Sequence, residues 1–169
     1  MKETSPEEES KAHFYQDKLL PLYKLSRMEN ALDEVQKEKI WLNSGGFIVI
    51  QQTEAFVSID VNSGKFTGKK KDEETYRKIN LEAAKEISRQ LRLRNLSGII
   101  LIDFINMTNP DHNNELFHVL QKYLRKDPVK CKAIDITPLH ILEMTRKKVR
   151  KPVIEEIRQI KSGDFSNTL

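Results

Sequence analysis

The chain has 169 residues, 38% hydrophobic and 32% charged, with a net charge of +4 and a single cysteine. That length fits one domain of ordinary size. No apolar run approaches the length of a bilayer-crossing helix, and the first ten residues lack the apolar core of a secretion signal. A lone Cys131 excludes an internal disulfide and a multi-cysteine zinc cage within one chain. The default expectation is a cytoplasmic globular protein. Charge distribution says more than the total. Residues 1–10 carry one Lys against four Glu, whereas Arg146, Lys147, Lys148, Arg150 and Lys151 crowd one short stretch and Lys65, Lys69, Lys70 and Lys71 another. Clustered cations suit a polyanion such as RNA; as a solvated surface they need no partner.

Residues 1–10 read as a disordered acidic tail. Residues 11–24 begin helix-like and meet Pro21, which predicts a short helix or an extended arm. Ser26-Arg-Met-Glu29 has the pattern of a capping box, so a helix should run from there to about Lys39, with Ala31, Leu32 and Val35 as its apolar stripe. Ile40–Asn43 reads as a short strand and Ser44-Gly45-Gly46 as a turn whose glycines permit positive φ. Phe47–Ile50 and Ala55–Val61 then pair as a hairpin with Thr53-Glu54 near its tip. After a loop over residues 64–71, Asp72 should cap a long helix to about Arg94. Its residues Tyr76, Ile79, Ala83, Ile87 and Leu91 recur at helical spacing toward the sheet.

Asn95–Gly98 turns the chain back into a strand over Ile99–Phe104, completing a βαβ unit in which the two strands run parallel. Asn109-Pro110 places an N-cap before a proline at the first helical position, opening a helix with Leu116, Val119, Leu120, Tyr123 and Leu124 buried. Lys132–Thr137 is a further strand, and Pro138–Met144 a short strand or helical turn. Val153, Ile154, Ile157 and Ile160 share helical spacing near the C-terminus. The fold class is α/β: a single domain with a mixed β-sheet, a βαβ unit and packed helices.

Side chains of a strand alternate faces, so Asp60 and Asn62 share one face while Val57, Ile59 and Val61 take the other. The second parallel strand also ends in an acid, Asp103. Carboxylates at the C-terminal rim of adjacent parallel strands lie where open α/β sheets bind ligands, and two hard oxygen donors suit Mg²⁺ or Mn²⁺. Each Asp could instead only cap a loop or helix. Asn62 could hold one carboxylate, or a water bound to the ion, by hydrogen bonding. The four histidines, His13, His112, His118 and His140, show no metal-ligand spacing, and no glycine-rich phosphate loop is present.

Ser44-Gly-Gly46 before an apolar strand, Thr53-Glu54-Ala55 and Ser58-Ile-Asp60-Val-Asn62-Ser63 follow one another in the chain. After them come Asn80-Leu-Glu-Ala-Ala84, Ile87-Ser-Arg-Gln-Leu-Arg-Leu-Arg94, Ile102-Asp103-Phe104 and Leu142-Glu-Met144. In this order the blocks resemble the ribonuclease E/G family, over the part called its DNase I-like subdomain. The resemblance implies residues 11–146 as a catalytic subdomain, flanked by the tail and by a basic extension over 147–169. It implies Asp60 and Asp103 as ligands of a catalytic Mg²⁺ and Asn62 as the residue that orients the site. The activity implied is endonucleolytic cleavage of single-stranded, A/U-rich RNA, leaving a 5′-phosphate on the downstream product. Lys65, Lys69, Lys70, Lys71, Arg146, Lys147 and Lys148 are the candidate RNA contacts.

The chain departs from the family pattern. Asn106 stands where the family usually has an acid, three residues after the second metal Asp, which leaves it at most a supporting place beside the ion. The paired cysteines of the family's zinc link are missing, so no zinc is expected and any homodimer would lack that link. The family's S1, 5′-sensing and RNase H-like parts are also missing. The chain is expected to be either a piece of a longer ribonuclease or a stand-alone relative, weak alone because the RNA clamp is absent. The rival expectations are a non-catalytic RNA-binding or protein-interaction module on the same fold, and an unrelated metal-dependent phosphatase or nuclease.

Overall fold

A computed structural model of the chain describes residues 14–17, 19–25, 28–64 and 73–162. The acidic tail, the Ser26 cap, the lysines between 65 and 71, the Asp72 cap and the last seven residues of the basic extension lie outside the described residues. The chain divides into two compact units between Glu34 and Val35. In the first, Asp17 Oδ1 accepts hydrogen bonds from the backbone N–H groups of Leu19 (2.8 Å) and Leu20 (3.2 Å), a turn that precedes the one-turn helix α1 (Leu22–Leu25). Helix α2 (Met28–Gln36) crosses the boundary into the second unit.

The second unit is a six-stranded mixed sheet with helices on one face. Its elements are β1 (Lys39–Trp41), β2 (Phe47–Gln52), β3 (Phe56–Asn62), α3 (Glu73–Leu93), β4 (Gly98–Asp103), α4 (Pro110–Leu124), β5 (Cys131–Ile136), β6 (Ile141–Arg146) and α5 (Val153–Ser162). The strand order is β1-β2-β3-β4-β6-β5, with β3 and β4 parallel and every other pair antiparallel. Helix α3 crosses between the two parallel strands, as the βαβ reading requires. No helix among the described residues is long and apolar enough to cross a membrane.

Period-two alternation in the strands and helical spacing in α3 and α4 meet in one core. Ile48, Ile50, Val57, Ile59, Val61, Ile100, Ile102, Leu142 and Met144 leave the sheet on the same side, against Ile79, Ala83, Ile87 and Leu91 of α3 and Leu116, Leu120 and Leu124 of α4. Burying each of these large aliphatic side chains contributes about 1.5–3 kcal/mol. The N-terminus of α4 is built as its sequence dictates: the Asn109 side chain accepts from the Asp111 N–H, and Pro110 needs no partner for a missing donor. The segment from Pro138 resolves into a turn, with His140 at φ 62°, followed by the full strand β6.

Strand β6 corrects one expectation. Arg146 was grouped with the exposed cations, yet alternation sends Leu142, Met144 and Arg146 inward together, and Arg146 is 4% exposed. Its Nε donates to Asp127 Oδ2 (2.9 Å), and its Nη1 to Asn95 Oδ1 (2.9 Å) and the Leu96 carbonyl (3.0 Å). The guanidinium therefore ties the loop after α4 to the turn after α3 and is not available to RNA. Helix α5 is fixed to that same turn: the Val153 N–H donates to the Arg94 carbonyl (3.0 Å) and Asn95 Nδ2 to the Lys151 carbonyl (3.0 Å).

Burial opposes ionisation of Asp127, but the Arg146 hydrogen bond, the Val129 N–H and the Arg146 charge outweigh it and hold the carboxyl below its usual range. The pair therefore contributes stability that is complete above the ordinary Asp range and is lost as pH falls through the depressed value. Arg146→Ala leaves a buried carboxylate without its cation. It should cost about 3–5 kcal/mol at neutral pH, read from urea unfolding, and distinctly less in strong acid. A loss under about 1 kcal/mol at neutral pH would contradict the assignment.

Candidate active site

The site follows from the register of two strands. Val57, Ile59 and Val61 are held in the core, so Phe56, Ser58, Asp60 and Asn62 project from the opposite face. Ile100 and Ile102 are likewise buried, which turns Leu101 and Asp103 outward. Because β3 and β4 pair in parallel with Asp60 opposite Asp103, two carboxylates stand on adjacent strands, about 4.8 Å apart along the sheet. Both are exposed. Asn62 Nδ2 donates to Asp60 Oδ2 at 2.7 Å, which fixes the orientation of that carboxylate. Burial and then the charge of Asp60 push the Asp103 carboxyl above its usual range.

The segments that carry these side chains are held from behind. Asn80, fully buried on α3, donates through Nδ2 to the Ile105 carbonyl (2.8 Å) and accepts through Oδ1 from the Ile105 N–H (3.0 Å). Its carboxamide thus pairs with the backbone two residues after Asp103. Glu73, at the start of α3, accepts from the Asn109 N–H (2.7 Å), from the Thr108 hydroxyl, and pairs with His112 Nδ1 (3.1 Å). The hydrogen bonds from Thr108 and then Asn109 hold its carboxyl below the usual range. On the other strand, a Cβ on Gly46 would come within 2.7 Å of the Asn62 carbonyl oxygen and 2.8 Å of an Ile79 methyl. Only glycine lets the β1–β2 turn press against the end of β3. Glu82 secures that turn by accepting from the N–H groups of Asn43 (2.7 Å) and Ser44 (2.9 Å).

Of the expected site residues, Asp60, Asn62 and Asp103 are brought together. Asn106 is exposed in the loop after β4, and no hydrogen bond links it to either carboxylate. Lys147 and Lys148 are exposed beyond β6, Arg146 is buried as described, and Lys65, Lys69, Lys70 and Lys71 fall outside the described residues. Two supporting residues, Asn80 and Glu73, had no part in the reading of the sequence as site residues. For Asn80 a signal existed: it lies among Tyr76, Ile79, Ala83 and Ile87, and a carboxamide on the buried face of a helix must find partners.

The donors fit a hard divalent cation. Mg²⁺ is commonly held by one or two carboxylates with water completing its shell, and two anionic oxygens on neighbouring strands offer that arrangement. No group of three or more His, Cys, Asp or Glu suited to a metal occurs among the described residues; Asp60 and Asp103 are the pair that would hold the ion. The raised pKa of Asp103 comes first from burial and then from the neighbouring charge of Asp60, which a bound cation would offset.

Protonation of Asp103 is easier in the folded than in the unfolded chain, so its ionised form subtracts stability at neutral pH and ceases to do so in acid. In the absence of divalent cations, Asp103→Asn should raise the melting temperature near pH 7. It should have little effect near pH 3, where Asp is protonated in both states. A lower melting temperature at neutral pH would contradict the like-charge account.

Comparison with known proteins shows the family. Residues 1–149 match the family model described as "Ribonuclease E/G family". Ribonuclease G of Salmonella typhimurium is 43% identical over 148 residues, covering 88% of this chain and 30% of the relative. Ribonuclease E of Nostoc sp. is 40% identical over 135 residues, covering 80% and 20%. A chloroplastic ribonuclease E/G-like protein of Arabidopsis thaliana is 36% identical over 139 residues, covering 81% and 14%. The chain thus spans less than a third of the length of each of these relatives. The match runs through both aspartate strands and the supports behind them, and the chain belongs to the ribonuclease E/G family.

Proposed function

We propose that this chain carries the hydrolytic centre of a Mg²⁺-dependent endoribonuclease, with Mn²⁺ able to substitute, acting on single-stranded, A/U-rich RNA. The observation that carries the reading is the pairing of Asp60 with Asp103 at the carboxyl ends of two parallel strands, with Asn62 bonded to Asp60. When bound, the ion supplies positive charge at the phosphate and makes a water more acidic. Asp60 and Asp103 would hold that ion, and Asn62 keeps Asp60 in one orientation. The Asn80 clamp on Ile105 keeps the end of β4 in register with β3. In the hydrolysis, water adds its oxygen to phosphorus and the P–O3′ bond breaks. The departing oxygen takes a proton, leaving a 3′-hydroxyl upstream and a 5′-phosphate downstream. Lys147 and Lys148, exposed beyond β6 at the opposite end of the sheet from the carboxylates, offer charge to phosphates farther along the RNA.

The catalytic part in this reading is residues 11–146, with 147–169 as an extension; the family match itself covers residues 1–149. Most of the affinity of a nuclease comes from phosphate contacts spread along the strand. A chain whose match covers 30% of the ribonuclease G relatives should therefore cleave weakly on its own.

The test is cleavage of a 5′-monophosphorylated, A/U-rich single-stranded RNA with Mg²⁺ or Mn²⁺. Asp60→Asn and Asp103→Asn should each reduce the rate by at least about 100-fold while the circular dichroism spectrum is retained. Asn62→Ala should reduce it by about 10- to 100-fold, as loss of a residue that orients a metal ligand does. Products lacking a 5′-phosphate, or a rate unchanged by Asp103→Asn, would contradict the reading. No cleavage and no metal binding by the parent would favour a non-catalytic module on this fold.

A further inference from the structure

The open face of the sheet carries a second feature in line with the carboxylates. Trp41 of β1 lies opposite Phe47 of β2, and Phe47 lies opposite Asn62 of β3. One row of the sheet therefore runs Trp41, Phe47, Asn62. The adjacent row runs Lys39, Val49, Asp60, Asp103. Residues directly opposite in a sheet share a face, so both rows project to the side away from the helices. Trp41 is 59% exposed, a large ring left in water on this face. It meets Phe47 edge to face, with ring centroids 5.2 Å apart. The Lys39 ammonium lies 4.3 Å from the Trp41 ring centre and 3.6 Å from that of Phe47.

An exposed tryptophan backed by a half-buried phenylalanine, with a cation beside them on a sheet face, has the make-up of a surface for unpaired nucleobases. Every base offers a flat face to stack on a ring, and each base is followed by a phosphate that a lysine can meet. Position decides between this and an accidental apolar patch. Two strand spacings separate Trp41 from Asn62, about 10 Å, roughly the rise of three stacked nucleotides. An edge of the Trp41 ring also lies 3.7 Å from where a Cβ would stand on Gly64, just past the end of β3. A strand stacked on Trp41 is thus delivered along the sheet toward the carboxylates. The charge also matches, with Lys39 at the platform and Asp60 and Asp103 at the end where a cation would neutralise them.

We infer that Trp41 and Phe47, with Lys39, form a stacking subsite that holds a base of single-stranded RNA a few nucleotides from the Asp60–Asp103 pair. The inference rests on RNA being the substrate. It does not depend on the identity of the metal or on turnover.

Trp41 is the sole tryptophan of the chain, so its fluorescence reports on the subsite directly. The experiment titrates the full 169-residue chain with a short, dye-labelled oligouridylate in EDTA, so that nothing is cleaved. Tryptophan emission and dye anisotropy are followed together. Quenching that saturates with the anisotropy signal is expected, and an abasic oligomer of the same length should bind more weakly and quench little. Trp41→Leu should weaken binding by about 5- to 100-fold, the range for loss of one stacked base, and Trp41→Phe should restore most of it. Binding without quenching, or equal quenching by the abasic oligomer, would overturn the subsite while leaving the RNA reading in place. Absence of any anisotropy change would overturn both. A blue shift of emission with protein concentration, unaffected by RNA, would also overturn it, because the face would then be an interface between copies.

Discussion

Two like charges held side by side are the constraint around which this fold is arranged. A parallel pairing of β3 with β4 in which Asp60 meets Asp103 opposes folding in the absence of a cation, and the charge of Asp60 adds to burial in raising the Asp103 carboxyl. The rest of the sheet absorbs the cost through burial. On the other face of the same two strands, Val57, Ile59, Val61, Ile100 and Ile102 are buried among aliphatic residues of α3 and α4. A one-residue slip of either strand would expose that set and turn the carboxylates inward. The core thus enforces a register that electrostatics alone would reject.

The polar supports have a narrower task, which is to fix the last residues of each strand. Asn80 clamps Ile105, Glu73 clamps the loop that opens α4, and Gly46 lets the β1–β2 turn touch the Asn62 carbonyl. These sit behind the carboxylates and leave the open face to the ligand. Arg146 does comparable work at the opposite end of the sheet, joining Asp127, Asn95 and Leu96. The division is consistent throughout: helices, core and supports on one side, and acids, aromatic rings and Lys39 on the other.

Much of this was legible in the residues. Alternation in Ala55–Val61 and Gly98–Phe104 put the acids on one face, and the long helix between them required a parallel pair, so Asp60 and Asp103 had to share an edge. Caps were legible where the signal was local, as at Asn109-Pro110. What escaped depended on partners distant in the sequence. Pro138–Met144 gave no local decision between strand and turn, because β6 exists as a strand through its place between β4 and β5. Arg146 looked like the first of a cationic run until β6 extended to it and alternation carried it inward. Trp41 read only as part of a short strand; its exposure is set by β1 being at the sheet edge, paired on one side alone.

The central claim is that Asp60 and Asp103 together hold a divalent cation at this edge. Its most direct test is paramagnetic broadening by Mn²⁺ in the nitrogen-15 NMR spectrum of the chain, which needs neither RNA nor turnover. The account predicts that substoichiometric Mn²⁺ first erases the backbone signals at the ends of β3 and β4 and the side-chain amide of Asn62, and that the Asp60→Asn, Asp103→Asn double variant abolishes the effect. Broadening centred elsewhere, or unchanged in the double variant, would contradict it.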